Sequence, residues 1–98
     1  MEPAPVERIL VVEDDPATLG WLLCELAALP GVRASGCSSV AEAASWLQSH
    51  TPQIVLTDLG LPDGSGIEVI GKVRRLHPQC EVLVISIFGD DTHVISAI

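Results

Sequence analysis

The chain has 98 residues, enough for one domain with a single hydrophobic core and too few for two such domains. Hydrophobic side chains make up 48% of it, which excludes a disordered acidic tail, and no apolar run is long enough to cross a bilayer. Thirteen acidic and five basic residues give a net charge of −8, which argues against direct binding of nucleic acid because phosphates require a basic surface.

The start of the chain predicts a leader rather than a folded element. Residues 1–7 are rich in proline and polar side chains, so we expect a loose leader followed by one domain over residues 8–98. No basic segment precedes an apolar one here, so no secretory signal is predicted. The cysteines are odd in number and form no C-x-x-C pair, which favours free thiols and a cytoplasmic location. They are Cys24, Cys37 and Cys80.

The first strand and the first helix have clear signals. Residues 9–12 (ILVV) are apolar on both faces, as in a buried strand of a parallel sheet. Asp15 and Pro16 then predict a helix start, with Asp15 as N-cap and Pro16 at the first helical position. Four leucines at helical spacing predict the core face of a helix over residues 16–29. They are Leu19, Leu22, Leu23 and Leu26.

A weaker strand and a second helix follow. Residues 32–37 predict a short strand, and residues 39–42 (SVAE) have the pattern of a capping box at a helix start. The apolar stripe of this helix consists of Val40, Ala43, Ala44 and Leu47. Residues 54–57 (IVLT) predict a second buried strand that ends at Asp58, and a turn-rich loop occupies residues 60–66.

The remaining elements continue the alternation of strands and helices. A third helix is expected to turn Ile67, Ile70 and Val73 inward and to end near His77. Residues 82–85 predict a buried strand followed by Ser86, and residues 93–98 predict the start of a fourth helix. Because that apolar helical stripe has no C-cap, we expect a truncated chain. The alternation predicts an α/β fold, a doubly wound parallel sheet with helices on both faces.

Polar side chains follow the predicted buried strands. Asp14 and Asp15 come after the first strand, Asp58 after the third and Ser86 after the fourth. Ligands of open α/β sheets bind at the carboxyl ends of the strands, where these carboxylates would converge and repel unless a cation joined them. Mg²⁺ suits such oxygen ligands, and a carboxylate beside it can accept a phosphoryl group. The alternative is that Asp15 is only an N-cap and Asp58 only a turn residue.

Three segments together resemble the receiver domain of response regulators. They are residues 10–16 (LVVEDDP), 55–66 (VLTDLGLPDGSG) and 84–86 (VIS), and the resemblance covers residues 8–98. The segment after Asp58 is most similar to the LuxR-type helix-turn-helix response regulators. The resemblance implies a flavodoxin-like receiver fold with strand order 2-1-3-4, cut before the fifth strand and the last helix of the family.

The resemblance also implies a role for each site residue. Asp58 matches the phosphoacceptor, Asp15 the direct Mg²⁺ ligand, and Asp14 the second acidic residue, which acts largely through water. Gly60 matches the position whose backbone carbonyl binds the metal. Ser86 matches the hydroxyl that senses the phosphoryl group.

Two departures from the family pattern bear on activity. The family lysine at the end of the fifth strand has no counterpart, and Lys72 is predicted to lie on the solvated face of the third helix. Ile87 stands where the family has a small residue, which could narrow the approach of a phosphodonor. Phe88 lies where the bulk of the side chain affects access of water to the acyl phosphate.

The leading hypothesis is a signalling switch that is not itself an enzyme. A sensor histidine kinase would phosphorylate Asp58 with Mg²⁺, and a DNA-binding output domain outside this chain would respond. One alternative is a receiver-like scaffold that is never phosphorylated. An aspartyl phosphatase or phosphotransferase is less favoured because Gly60 stands where such enzymes carry a second aspartate. No membrane partner is expected, but an open edge on the fourth strand predicts a homodimer or an exchange of elements between chains.

Overall fold

The structure is a computed structural model that describes residues 7–88 and 91–96, with backbone alone for residues 86–88 and 91–96. As far as residue 88, the main strands and helices alternate as the sequence predicts. The described part of the chain contains ten elements. They are β1 (Glu7–Val12), α1 (Pro16–Ala27), β2 (Val32–Cys37), α2 (Val40–Ser49), β3 (Ile54–Asp58), β4 (Gly60–Leu61), β5 (Gly64–Ser65), α3 (Gly66–Leu76), β6 (Glu81–Phe88) and β7 (Asp91–Ser96).

The main sheet has the strand order β2-β1-β3-β6-β7. The first four of these strands are mutually parallel, which confirms the predicted order 2-1-3-4 and the flavodoxin-like α/β architecture. In the register, Val12 of β1 is the partner of Cys37 in β2 and of Thr57 in β3. The carboxyl ends of β1 and β3 therefore lie side by side, and the residues that follow them meet at one edge of the sheet.

Both faces of the sheet are packed against helices. Leu10 and Val12 of β1 belong to a core shared with α2 and α3, whereas Ile9 and Val11 pack with the leucines of α1. Successive side chains of a strand point to opposite faces, which is why a strand between two layers of helices is apolar throughout. Full burial of such a side chain contributes about 1.5–3 kcal/mol, so the central strands dominate the stability of the domain.

Local hydrogen bonds fix the helix starts. The Asp15 carboxylate accepts from the Thr18 amide at the start of α1, and Pro16 occupies the first turn, as predicted. The Ser39 hydroxyl caps α2 by accepting from the Glu42 amide at 3.1 Å. Ser65 and Glu68 form a complete capping box at α3. In α2, by contrast, the Glu42 carboxylate bonds the amide and hydroxyl of Ser38 rather than closing a box on Ser39.

The predicted fourth helix is wrong. Residues 91–96 form β7, which pairs antiparallel with β6, with Leu83 opposite Ser96 and Phe88 opposite Asp91. The segment DTHVIS contains three β-branched residues, which favour a strand, and the edge of β6 offers a row of unpaired backbone groups. Because β7 covers the edge that was expected to be open, the predicted dimer through that edge loses its basis.

Smaller differences concern boundaries and faces. Glu7 begins β1 instead of ending the leader, and α1 ends at Ala27, earlier than predicted. Ile67, which was expected to point inward, is 67% exposed, and Val69 is buried instead. The loop after Asp58 contains a small antiparallel hairpin, β4–β5, that the turn-rich sequence did not reveal. Among the described residues, no helix combines the length and apolar character that a membrane crossing requires.

Candidate functional site

Three carboxylates meet at the carboxyl ends of β1 and β3. Glu13 and Asp14 directly follow β1, and Asp58 is the last residue of β3. One oxygen from each of the three lies within 4.8 Å of the others, a spacing that a single metal ion could bridge. The adjacent parallel strands bring these residues together, as the sequence predicts for Asp14 and Asp58.

Glu13 is the buried member of this acidic cluster. Its side chain is 2% exposed, and its Oε1 accepts a hydrogen bond from the Asp15 amide at 3.0 Å. The other oxygen, Oε2, is buried and has no hydrogen-bond partner among the described residues. Burial, together with the nearby Asp58 and Asp14, raises the pKa of Glu13 to about 7, although the Asp15 amide acts in the opposite direction.

Asp58 lies half-buried beside a tightly packed backbone. Its Oδ1 is 3.5 Å from the Gly60 amide, a long contact that leaves the carboxylate free to bind another group. The buried Thr57 hydroxyl donates to the Asp58 carbonyl at 2.9 Å. A Cβ at Gly66 would lie 2.1 Å from that same carbonyl oxygen, so α3 can begin this close to Asp58 only with glycine at its first position.

Asp15 is not brought into the cluster. Its carboxylate accepts from both the amide (3.0 Å) and the hydroxyl (2.6 Å) of Thr18, on the exposed start of α1. These hydrogen bonds lower the pKa of Asp15. The sequence analysis assigned the direct metal ligand to Asp15, whereas the structure places Glu13 in the cluster instead. The sequence does contain a signal for Glu13. The apolar run ends at Val12, and the first residue after a strand lies nearest to the carboxyl end of that strand.

The other predicted site residues have simpler placements. Gly60 is exposed at the start of β4, where its backbone pairs with Ser65, two residues beyond Asp58. Ser86 lies in β6, one residue past Ile85, the register partner of Asp58. Its side chain, like those of Ile87 and Phe88, is outside the described part of the structure. Lys72 is half-buried in the middle of α3.

A loop aspartate that the sequence analysis did not single out connects this site to α2. The Asp63 carboxylate accepts from the backbone amides of Val40 (2.7 Å) and Ala41 (3.0 Å), at the first turn of that helix. These hydrogen bonds lower the pKa of Asp63. The loop that follows Asp58 is thereby tied to a helix on the same face of the sheet. An aspartate between proline and glycine resembles any turn residue, so nothing in the local sequence indicated this contact.

The chemistry of the cluster fits a hard divalent cation. All the side-chain donors are carboxylate oxygens, the ligands that Mg²⁺ prefers. The orphaned Glu13 Oε2 is a buried acceptor that a cation would satisfy. Without a cation, burial and the two neighbouring acidic groups disfavour the charged form of Glu13, as its raised pKa shows.

Comparison with known proteins identifies the family. The profile of the response regulator receiver domain matches residues 9–98. The chain belongs to this family. As a receiver domain it is similar to the transcriptional regulatory protein KdpE of Mycobacterium tuberculosis, with 34% identity over 90 residues, 92% of the chain and 39% of that protein.

The relatives of this receiver domain include proteins of different named functions. It is 32% identical over 81 residues to a protein-glutamate methylesterase/protein-glutamine glutaminase of Agrobacterium fabrum, covering 82% of the chain and 23% of that enzyme. Among solved structures, the MaeR response regulator bound to beryllium trifluoride superposes with a TM-score of 0.74 at 29% identity, covering 87% of the chain and 70% of MaeR. The receiver domain thus spans less than half the length of these two sequence relatives, and both a transcriptional regulator and an enzyme contain it.

Proposed function

We propose that this receiver domain accepts a phosphoryl group on Asp58, with Mg²⁺ bound to the acidic cluster. The observation that supports this proposal is the meeting of Glu13, Asp14 and Asp58, with one buried Glu13 oxygen left unsatisfied. The phosphodonor would be a sensor histidine kinase in the cytoplasm. The output would be a DNA-binding domain of the LuxR type in a longer protein.

The proposed metal ligands differ in one residue from those expected from the sequence. Glu13, Asp14 and Asp58 would hold the ion, with the Gly60 carbonyl as a further donor. Asp15 is left out because its carboxylate is already bonded to Thr18. A bound Mg²⁺ would supply positive charge that neutralises both the carboxylates and the incoming phosphoryl oxygens.

The chain's own residues would then carry out the transfer. An Asp58 carboxylate oxygen attacks the phosphorus, the bond from phosphorus to the kinase imidazole nitrogen breaks, and the imidazole keeps the electron pair and takes up a proton. The product is an acyl phosphate on Asp58. The nearby Gly60 amide can donate to the new group, and Ser86 would sense it by hydrogen bonding.

Two adjacent aspartates provide a sharp test. Mg²⁺ and beryllofluoride, a phosphoryl mimic, are titrated while amide NMR shifts near Asp58 are followed. The native chain should bind both saturably, and Asp58→Asn should bind no beryllofluoride. Asp14→Asn should weaken Mg²⁺ binding by about tenfold or more, whereas Asp15→Asn should leave the Mg²⁺ affinity within about twofold of native.

The same titration separates the alternatives. Equal losses in Asp14→Asn and Asp15→Asn would contradict the proposed ligand set. A folded native chain that binds neither Mg²⁺ nor beryllofluoride would favour the scaffold that is never phosphorylated.

A further inference from the structure

A polar pocket lies far from the acidic cluster, near the start of β1. It has a volume of about 250 Å³ and is lined by Arg8, Arg33, Ser35, Trp46 and His50; we call it the Arg–Trp pocket. Arg8 is near the start of β1, and Glu13 follows its end. A strand rises by about 3.3 Å per residue, so roughly 17 Å of β1 separates this pocket from the acidic cluster.

Two arginines lie side by side in this pocket. Arg8 and Arg33 are register partners on neighbouring strands, and both are exposed. They share the face of the sheet that carries Leu10 and Cys37, so both guanidinium groups are on the side of α2. Among the side chains that the structure describes, no carboxylate forms an ion pair with either of them.

This pairing is unfavourable without a ligand. Like charges on directly opposed strand positions repel each other. The chain has only five basic residues and a net charge of −8, so carboxylates are abundant, yet none of those described neutralises this pair. Glu42 lines a neighbouring pocket and not this one, and its carboxylate is bonded to Ser38. An anion bound in the pocket would supply the counter-charge that the described carboxylates do not.

The aromatic wall of the pocket is well ordered by hydrogen bonds. The Trp46 and His50 rings stack with centroids 4.5 Å apart and planes 10° apart. His50 Nδ1 is 3.0 Å from the Trp46 carbonyl oxygen and 3.0 Å from the Ser49 hydroxyl, and it donates to the carbonyl in the tautomer that carries the proton on Nδ1. The other ring nitrogen, Nε2, is left for a further partner.

We propose that the Arg–Trp pocket binds the phosphate group of a small molecule. Two guanidinium groups present the planar donor forks that phosphate oxygens accept, and two positive charges match a phosphate dianion. The Ser35 hydroxyl adds a donor, and the stacked rings form a wall for the rest of the ligand. The pocket is smaller than the roughly 300–1,000 Å³ typical of ligand sites, which fits a small anionic group.

The test follows Trp46 in a chain that keeps this tryptophan alone. Trp21 is 55% exposed on α1, so Trp21→Phe removes the second indole signal at little structural cost. Inorganic phosphate, adenosine monophosphate and adenosine are titrated in turn at constant ionic strength. Chelator is present throughout, so that no metal at the acidic cluster attracts phosphate. The readouts are the Trp46 indole N–H shift and the amide shifts of β1 and β2.

Matched charge variants give the control. Arg8→Gln and Arg33→Gln each remove one charge from the pocket, and Arg75→Gln removes the same charge from the exposed last turn of α3. Phosphate should shift the Trp46 signal saturably, and either pocket variant should weaken binding by about tenfold or more. Arg75→Gln should bind as the parent does. Amide spectra establish that each variant is folded.

The outcomes also distinguish the source of the phosphate. Equal affinity for phosphate and adenosine monophosphate would indicate a site for the free anion, and tighter binding of the nucleotide would indicate a phosphomonoester whose base contacts the rings. Equal binding of adenosine would overturn the proposal, because the phosphate would then contribute nothing. Equal losses in all three arginine variants, or no saturable shift, would overturn it as well.

Discussion

The Glu13 carboxylate combines burial with proximity to two other acids. Its pKa of about 7 compares with an ordinary value of 4.5, so folding makes ionisation of this group less favourable. This unfavourable ionisation suits a cation site, because a bound cation would stabilise the charged carboxylate. At the scale of single residues, the acidic cluster is therefore a part of the fold that is destabilising until a metal binds.

Without metal, the domain should become less stable as the pH rises from about 4.5 to about 7. The folded state holds the Glu13 proton more tightly than the unfolded state does. The resulting stabilisation is complete below the pKa of Glu13 in the unfolded state, and it is lost as the pH rises through the pKa in the folded state. After allowance for solvent screening, the loss should be on the order of 2 kcal/mol. Urea unfolding in chelator at pH 5 and pH 8 measures it.

Glu13→Gln provides the comparison for this pH dependence. It should remove most of the fall between pH 5 and pH 8 and should be more stable than the native chain at pH 8. Asp15, Glu42 and Asp63 have lowered pKa values, so their effects belong to a lower pH and should not interfere. A fall of the same size in Glu13→Gln would assign the pH dependence to another group.

Gly66 is the residue whose smallness the site requires. A Cβ there would lie 2.1 Å from the Asp58 carbonyl oxygen, and the nearby atoms are backbone that cannot move aside. Gly66→Ala should therefore destabilise the domain by about 2–3 kcal/mol. Gly71 lies in the same helix with nothing within 4 Å of its would-be Cβ, so Gly71→Ala should stabilise by about 0.5–1 kcal/mol. Denaturant unfolding compares the two, and similar effects would refute the steric explanation.

At the scale of elements, the first turn of α2 and the loop after Asp58 form one hydrogen-bonded unit. Asp63 supplies both hydrogen bonds, one to Val40 and one to Ala41. This contact gives the loop a fixed position beside the phosphoacceptor. A group added to Asp58 would act on a loop whose far side is anchored to a helix.

Removing the Asp63 carboxylate should loosen that loop. Asp63→Ala should lower the stability of the domain and should speed amide hydrogen exchange across residues 59–65. Asp15→Ala removes a capping carboxylate of similar value from α1 without touching this loop. Exchange should therefore rise at residues 59–65 in the first variant alone. Faster exchange in both variants would indicate general destabilisation.

The elements that could be predicted from the sequence are those with local signals. The runs ILVV and IVLT are apolar on both faces, as expected of strands covered by helices, and the caps at Asp15 and Ser39 are local hydrogen bonds. β7 could not be predicted in this way. Val94 and Ile95 suit either a helix or a strand, and pairing with β6, a tertiary interaction, decides between them.

The acidic cluster shows the same division between local and tertiary information. Asp14 and Asp58 could be predicted because they end buried strands that become neighbours in a parallel sheet. The choice between Glu13 and Asp15 depends on the direction in which the chain leaves β1. Asp15 bonds to Thr18 in α1, and Glu13 remains buried beside Asp58.

At the scale of the whole molecule, the net charge of −8 provides a test that separates general screening from a specific site. Any salt should reduce self-repulsion and stabilise the domain modestly. At matched ionic strength, Mg²⁺ should stabilise it further, by about 2.7 kcal/mol when its concentration is 100 times the Kd, because it binds the folded state alone. For a chain of this length, that corresponds to a rise in Tm of roughly 10–20 °C.

The variant that removes the phosphoacceptor charge shows whether the extra stabilisation comes from the acidic cluster. In Asp58→Asn the advantage of Mg²⁺ over sodium should largely disappear, while the modest effect of sodium remains. Thermal unfolding in the two salts, with Arg75→Gln as a control of altered net charge, measures both effects. An unchanged Mg²⁺ advantage in Asp58→Asn would place the cation elsewhere on this acidic surface and would contradict the proposed metal site.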